Sequence, residues 1–321
     1  MPNVLPVPRP TVPREGCVAK AADPLGGLCL PGQALALDLA PALAPRLAQR
    51  LAGLGEHALA DLSYSNLWLF RRPHDYRYHA GPWPCISGQS YDGQRHALPL
   101  FDVREASAEV VDALLARFAC LYPLSAREAG HFDPARYRIE TQRDDADYLY
   151  SAEQFRRYPG RLLQKKRNLM AQLQALHCVT AQPYTLALQG DALQVLQGWL
   201  GDKGKAAGAA DDLPCREALA LASQLGLSGF VYWADAQPAG FLLAETVQPG
   251  VVVVRFAKAL VNCKGMAQYM FHHFALTAPG PVQWLNFEQD MGLANFRRTK
   301  LSYQPAQLIQ KWRISQFSQE S

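Results

Sequence analysis

An α+β fold built in two halves is predicted by three features of the sequence. Its 321 residues are enough for two domains. Hydrophobic residues make up 49% and charged residues 19%, the balance of a chain that buries a core. After a helix opening near residue 160, the apolar spacing reads β-α-α-β-β-β-α-β-α-β, a meander that feeds a helix and then a buried strand. Such an order gives mixed sheets flanked by helices rather than a doubly wound parallel sheet.

Residues 1–33 are rich in Pro and Gly and carry no apolar period, which predicts a flexible tail. Residues 34–158 are expected to form the first half. Within it, 34–54 reads as a helix broken or restarted at Pro41 and Pro45. A helix over 62–71 follows, then three short strands at 76–79, 85–90 and 96–101, separated by GPWP and YDGQ turn signals. An amphipathic helix over 106–121 and strands at 137–140 and 148–150 complete this half.

Residues 159–321 form the second half, opening with a basic helix over 160–177 that is expected to bridge the two halves. A strand at 179–188 and helices at 191–200 and 215–225 come next, with 201–212 as a mobile loop. Strands at 229–234, 239–247 and 251–256 are split by a DAQP turn and by Pro249-Gly250. A helix over 265–277, a buried strand at 282–287, a helix around 293–299 and a terminal strand region to Ile314 end the chain.

Several function classes have no footing. The seven cysteines are an odd number with no two closer than twelve positions, so CxxC redox and zinc-ribbon motifs are absent. Reduced thiols, no run that spans a bilayer and no secretory signal predict a cytoplasmic protein. In Gly201-Asp202-Lys203-Gly204-Lys205-Ala206, Ala stands where a phosphate-binding loop needs Ser or Thr. Gly88-Gln89-Ser90-Tyr91-Asp92 fails as a nucleophile elbow at its last position. His272 and His273 are adjacent and point to different helix faces, so no metal is expected.

Charge is concentrated. From Glu153 to Asn168 six bases stand against one acid, and from Arg297 to Arg313 there are five bases and no acid. The formal net charge is only +4, so the rest of the chain is acidic. Such zones suit phosphates, RNA or acidic headgroups, or are simply solvated faces.

The segment Asn262-Cys263-Lys264-Gly265-Met266-Ala267 resembles the turn with which the GNAT acyltransferase fold holds the pyrophosphate of acyl-CoA, with Asn in place of the leading Gln or Arg. Asn286, then Leu293 to Phe296, then Tyr303 resemble the later stretch of that fold, with Phe296 where many acetyltransferases place a tyrosine acid. Three further segments, 61–70, 148–168 and 284–305, are together similar to the family of the C-terminal domain of phosphatidylglycerol lysyltransferase. That resemblance covers roughly 50–314 and implies two GNAT-like halves. One departure is Phe256-Ala257-Lys258, where the family usually carries an acid before the lysine. No membrane-spanning region precedes the domain as it does in the lysyltransferases, which argues against a membrane lipid as acceptor; the acceptors expected are a small molecule, a peptide or a lipid headgroup.

The resemblance implies transfer of an aminoacyl group from tRNA to a hydroxyl or amine, with no permanently bound cofactor. On a helix Arg161, Lys165 and Asn168 share one face with Lys166 beside them, and with Arg167 they are candidates to hold tRNA or another anion. Glu288 and Asp290, at the exit of the buried strand, are candidate bases, or else ion-pair partners of Arg297 and Arg298. Arg298 and Lys300 are candidates to stabilise the oxyanion. Lys258, Gly265, Asn286 and Tyr303 are candidate donor contacts; Asn286 also suits a cap, and Tyr303 suits packing. Two other readings compete: a CoA-dependent N-acyltransferase, carried by the turn at Gly265, and a catalytically idle binding module, favoured by Phe296 and Ala257.

Overall fold

The computed structural model describes residues 23–28, 32–54, 58–204 and 211–317. Most of the expected tail and residues 205–210, half of the 201–212 loop, lie outside these residues; of the rest, Gly201 and Asp202 end one helix and Asp212 begins the next.

The strands are β1 (Gln33–Ala34), β2 (Arg77–His79), β3 (Cys85–Gln89), β4 (Arg95–Pro99), β5 (Cys120–Leu124), β6 (Tyr137–Thr141) and β7 (Asp147–Ser151). They continue with β8 (Val179–Pro183), β9 (Leu227–Ala234), β10 (Gln237–Gln248), β11 (Val251–Ala259), β12 (Trp284–Asn286), β13 (Gln307–Ile309) and β14 (Trp312–Gln316). Helices α1 (Ala40–Ala52), α2 (Tyr64–Leu69), α3 (Ala108–Leu115), α4 (Ala126–Ala129) and α5 (Ala152–Arg157) belong to the first part of the chain. The later helices are α6 (Gln164–Leu176), α7 (Gln189–Asp202), α8 (Asp212–Leu221), α9 (Met266–Thr277) and α10 (Ala294–Leu301).

Two seven-stranded mixed sheets form, ordered β1-β2-β3-β4-β5-β14-β6 and β8-β9-β10-β11-β12-β7-β13. The two orders follow one plan: four antiparallel strands, one parallel neighbour (β4 to β5, β11 to β12), then a strand from the other half. β7 enters the second sheet and β14, from the chain's end, enters the first. A division at 158/159 therefore does not separate the two sheets. A shared apolar cluster locks them, uniting Leu43 and Leu47 of α1, Ile86 and Leu98 of the first sheet, and Leu149, Val251 and Ile309 of the second.

Several local expectations are corrected. α1 runs through Pro45 unbroken: Pro41 sits in the first turn, where its missing N–H is no loss, and Leu43, Leu47, Arg50 and Leu51 bury one face. α3 stops at Leu115, because Cys120–Leu124 pairs with β4 and β14 as a fully buried strand. The basic helix starts at Gln164, leaving Arg161 in the preceding turn. It does not bridge the halves but packs on α9, burying Leu173 in the second sheet's core.

Candidate functional site

The second sheet opens a crevice where β11 and β12 part. Their parallel register holds for three pairs, ending at Val253 and Asn286, while β11 continues to Ala259. Ligands of open sheets bind where neighbouring parallel strands diverge in this way. Opposite the opening, β10 pairs Leu243 with Phe256 and Ala244 with Val254, so Arg255 is the extra residue of a bulge. A bulge re-aims its side chain, and Arg255 turns into a polar hub between the two sheets.

That hub is built by the crossing strands. Arg255, its side chain wholly buried, donates to Glu245 at 2.8 Å, to Glu288 at 2.6 Å, to the Ala60 carbonyl at 2.9 Å and to Ser63 Oγ. Lys311, between β13 and β14 and equally buried, meets Asp147 at 2.8 Å, Asp61 at 2.5 Å and Gln289 Oε1 at 2.7 Å. Asp147 Oδ2 accepts from the Ala60 N–H and from Asn286 Nδ2. Burial opposes charge on Lys311, yet Asp147 and Asp61 hold its ammonium above the usual lysine range. Burial equally opposes Asp61, and Lys311 overcomes it, holding that carboxyl low. Four carboxylates (Asp61, Asp147, Glu245, Glu288) thus face two cations.

Glu288 is singled out within the hub. It is a non-glycine residue at φ 58°, a conformation that costs energy and persists only where the surroundings impose it. The imposing contacts are visible. The Glu288 N–H donates to Asn286 Oδ1 at 2.7 Å, and Lys300 Nζ donates to the carbonyls of Phe287 at 2.7 Å, Glu288 at 3.1 Å and Gln289. Burial raises the Glu288 carboxyl above its ordinary range despite Arg255, and brings the Lys300 ammonium down to about 8. The Glu288, Glu245 and Asp61 side chains stay 22%, 14% and 13% exposed, whereas Asp147 is sealed. From the first sheet, Tyr91 and His74 line a neighbouring recess of about 300 Å³. Tyr91 stays 58% exposed at the rim of that recess.

The other expected site residues divide. Asp290 is sealed, accepting from Arg297 at 2.9 Å, Arg143 at 3.3 Å, Tyr148 Oη at 2.6 Å and the Gly292 N–H at 2.9 Å. Its partner is Arg297, not Arg298. Positions 297 and 300 share the inner face of α10, while Arg298 points to solvent without a partner among the described residues. Asn286 is in the hub. Tyr303 is buried among Phe155, Phe271 and Tyr158, its hydroxyl accepting from Gln268, and burial pushes the phenol far up.

Lys258 lies away from the hub, paired with Asp211 at 2.7 Å over the Trp199 ring. Gly265 is required for packing: at φ 97°, a Cβ there would stand 2.1 Å from the Leu169 carbonyl oxygen of α6. Lys165 and Asn168 of the basic helix are exposed, as is Arg161 in the turn before it, so the expected helical face does not include Arg161. Lys166 instead donates to Ser302 over the Tyr303 ring, and Arg167 to the carbonyls of Tyr158 and Gly160. His272 and His273 are packed, on the Phe155 carbonyl and on Tyr232.

Sequence reasoning missed Arg255, Glu245, Asp61, Asp147, Lys311 and Tyr91. One signal was present: Arg255 is the one charged residue in the apolar run Val251–Ala257. Among the described residues, no three His, Cys, Asp or Glu side chains converge as metal ligands would, and no helix is long and apolar enough to cross a membrane.

The fold recurs in solved structures. A conserved protein of unknown function from Bacteroides thetaiotaomicron superposes with a TM-score of 0.77 at 19% identity, over 90% of this chain and 100% of that one. The L-PGS structure from Bacillus licheniformis gives 0.54 at 13% identity, over 85% and 91%. The C-terminal domain of a putative lysylphosphatidylglycerol synthetase from Agrobacterium fabrum gives 0.53 at 14%, over 84% and 92%. No curated protein sequence matches. The family model described as phosphatidylglycerol lysyltransferase, C-terminal, matches residues 54–315, so the chain belongs to that family of acyltransferases on a tandem GNAT-like fold.

Proposed function

We propose that this protein transfers an aminoacyl group from aminoacyl-tRNA to a hydroxyl or amine acceptor. The observation that carries the reading is the excess of carboxylates at the mouth of the β11–β12 crevice. Counting Lys300, four acids stand against three cations, and Glu288, Glu245 and Asp61 among the acids are partly open. A desolvated site with surplus negative charge favours a ligand that brings a cation. An aminoacyl ester does so: its α-ammonium lies one carbon from the carbonyl to be attacked.

In the reaction the acceptor's oxygen or nitrogen bonds to the ester carbonyl carbon while its proton passes to Glu288. The bond to the tRNA 3′ oxygen then breaks, and that oxygen takes the proton back. A carboxyl raised by burial is a stronger base than a free one, which suits Glu288 to this step. Arg255 orients it at 2.6 Å, and Lys300 holds the loop that carries it.

The CoA-dependent reading gains nothing from Gly265 itself, because the close approach of α6 already accounts for a glycine there. The test is single-turnover transfer from labelled aminoacyl-tRNA to mixed hydroxyl and amine acceptors, run beside acyl-CoA. Loss of label from tRNA that requires both acceptor and Glu288 supports the proposal. Transfer from acyl-CoA alone refutes it.

A further inference from the structure

We propose that a cavity on the outer face of the first sheet holds a small molecule by its phosphate group. The inference does not depend on the reaction proposed above. Ile86 and Leu98 turn into the apolar cluster shared with the second sheet, so their strand neighbours Cys85, Ser87 and Ala97 turn the other way. The core that includes α3 covers Cys85 and Ala97. Beside them the face is polar and concave: a cavity of about 320 Å³ is lined by Arg77 of β2, Ser87 and Gln89 of β3, and Arg95 of β4.

This cavity is not a copy of the second half's crevice. The matching gap opens where β4 and β5 part after Ala97 and Leu121, and the buried Arg50 side chain fills it. Arg50 donates there to the Pro99 carbonyl at 2.9 Å, to the Pro123 carbonyl at 2.8 Å and to Glu128 at 2.8 Å.

Strand register sets the cations around one hydroxyl. Arg77 lies opposite Ser87, and Arg95 lies opposite Gln89, the next same-face position of β3. Neighbouring strands are about 4.8 Å apart and same-face residues about 6.8 Å apart, so the two arginine Cα atoms span roughly 12 Å. Two long guanidinium side chains close that span over one anion. Ser87, 2% exposed, is bonded to His79 Nε2 at 2.8 Å, and a hydroxyl with one bond made can make another. Gly32 walls the cavity over His79, so closely that a Cβ would stand 2.6 Å from the ring.

Charge and donor count select the ligand. The two guanidinium groups face one lining carboxylate, Asp75, which is exposed and meets Arg77 at 3.1 Å. Arg95 pairs with none of the described residues. Two arginine forks offer more donors than the two oxygens of a carboxylate accept, whereas a phosphate monoester brings three acceptor oxygens and a charge of about −1.5 to −2.

The experiment is thermal melting of the full-length protein titrated with inorganic phosphate, with chloride holding the ionic strength constant and acetate titrated in parallel. Phosphate should raise the melting temperature along a saturating curve, and acetate should not. Arg77→Ala and Arg95→Ala should each weaken the phosphate response roughly 10- to 100-fold in concentration, the loss of a hydrogen bond to a charged group. Without phosphate both should melt as the parent does, because exposed charges contribute little stability. A control variant with Arg161 and Lys165 replaced by Ala should keep the parent's response. The proposal is overturned if the phosphate curve does not saturate, if acetate stabilises equally, or if both single variants respond as the parent does. It is equally overturned if the control variant loses the response, which places the anion on the basic helix.

Discussion

Replacing Asp290 by Asn separates a structural carboxylate from a catalytic one. The side chain is sealed and accepts five hydrogen bonds, three of them from the guanidinium groups of Arg297 and Arg143. Asn keeps the shape and one acceptor oxygen but removes the charge that Arg297 and Arg143 neutralise. Breaking a buried ion pair from one side costs about 3–5 kcal/mol. Because both arginines are about a third exposed and partly screened, the expected loss is about 2–3 kcal/mol. For a chain of this size that lowers the melting temperature by about 5 °C.

A pH dependence follows. Burial opposes ionisation of Asp290, and the bonds from Arg297, Tyr148 and the Gly292 N–H overcome it, so the folded-state carboxyl ionises below its unfolded value. Its stabilisation is therefore present above about pH 4 and is lost as pH falls below that, a loss the Asn variant should not show. Thermal melts of both proteins across acidic pH, combined with Arg297→Ala in a double-mutant cycle, should return a coupling of about 2 kcal/mol. A variant that melts within a degree of the parent, with no coupling to Arg297, refutes the structural assignment. If transfer is also abolished, Asp290 is the base instead.

Three further outcomes are expected. Glu288→Gln should lower transfer by roughly 100- to 10,000-fold while Arg255 keeps its pair with Glu245, and a loss under three-fold places the base elsewhere. Lys300, at about 8 in the folded protein against a higher unfolded value, makes the unfolded chain bind more protons above pH 8. The parent should accordingly gain stability relative to Lys300→Met as pH rises from about 8 to 10, and parallel curves in denaturant titrations exclude this. Gly265→Ala should cost roughly 3 kcal/mol or more, since its Cβ meets the Leu169 carbonyl and its φ disfavours any side chain; a near-neutral melt argues against the close approach of α6.

The sequence by itself determined the local grammar. Turn signals at Pro249-Gly250 and the alternating run after it place β10 and β11, because a hairpin needs only neighbouring residues. Helical spacing set Arg297 and Lys300 together on one face of α10, while Arg161 fell outside the helix whose face it was expected to share. Helical period is likewise a local property.

The exchange of β7 and β14 was decided only by tertiary structure, as was everything it creates. Lys311 and Asp147 are 164 positions apart and meet at 2.8 Å only because each begins or precedes a strand lent to the other sheet. The choice of Arg297 over Arg298 for Asp290 needs the axis of α10 relative to β12. The contacts of half-buried Lys166 with Ser302 and of Arg167 with the Tyr158 and Gly160 carbonyls need the seat that the fold gives α6. A buried charge takes its partner and its ionisation from whatever the fold places beside it, which is why the bases of this chain were countable in the sequence while their roles were not.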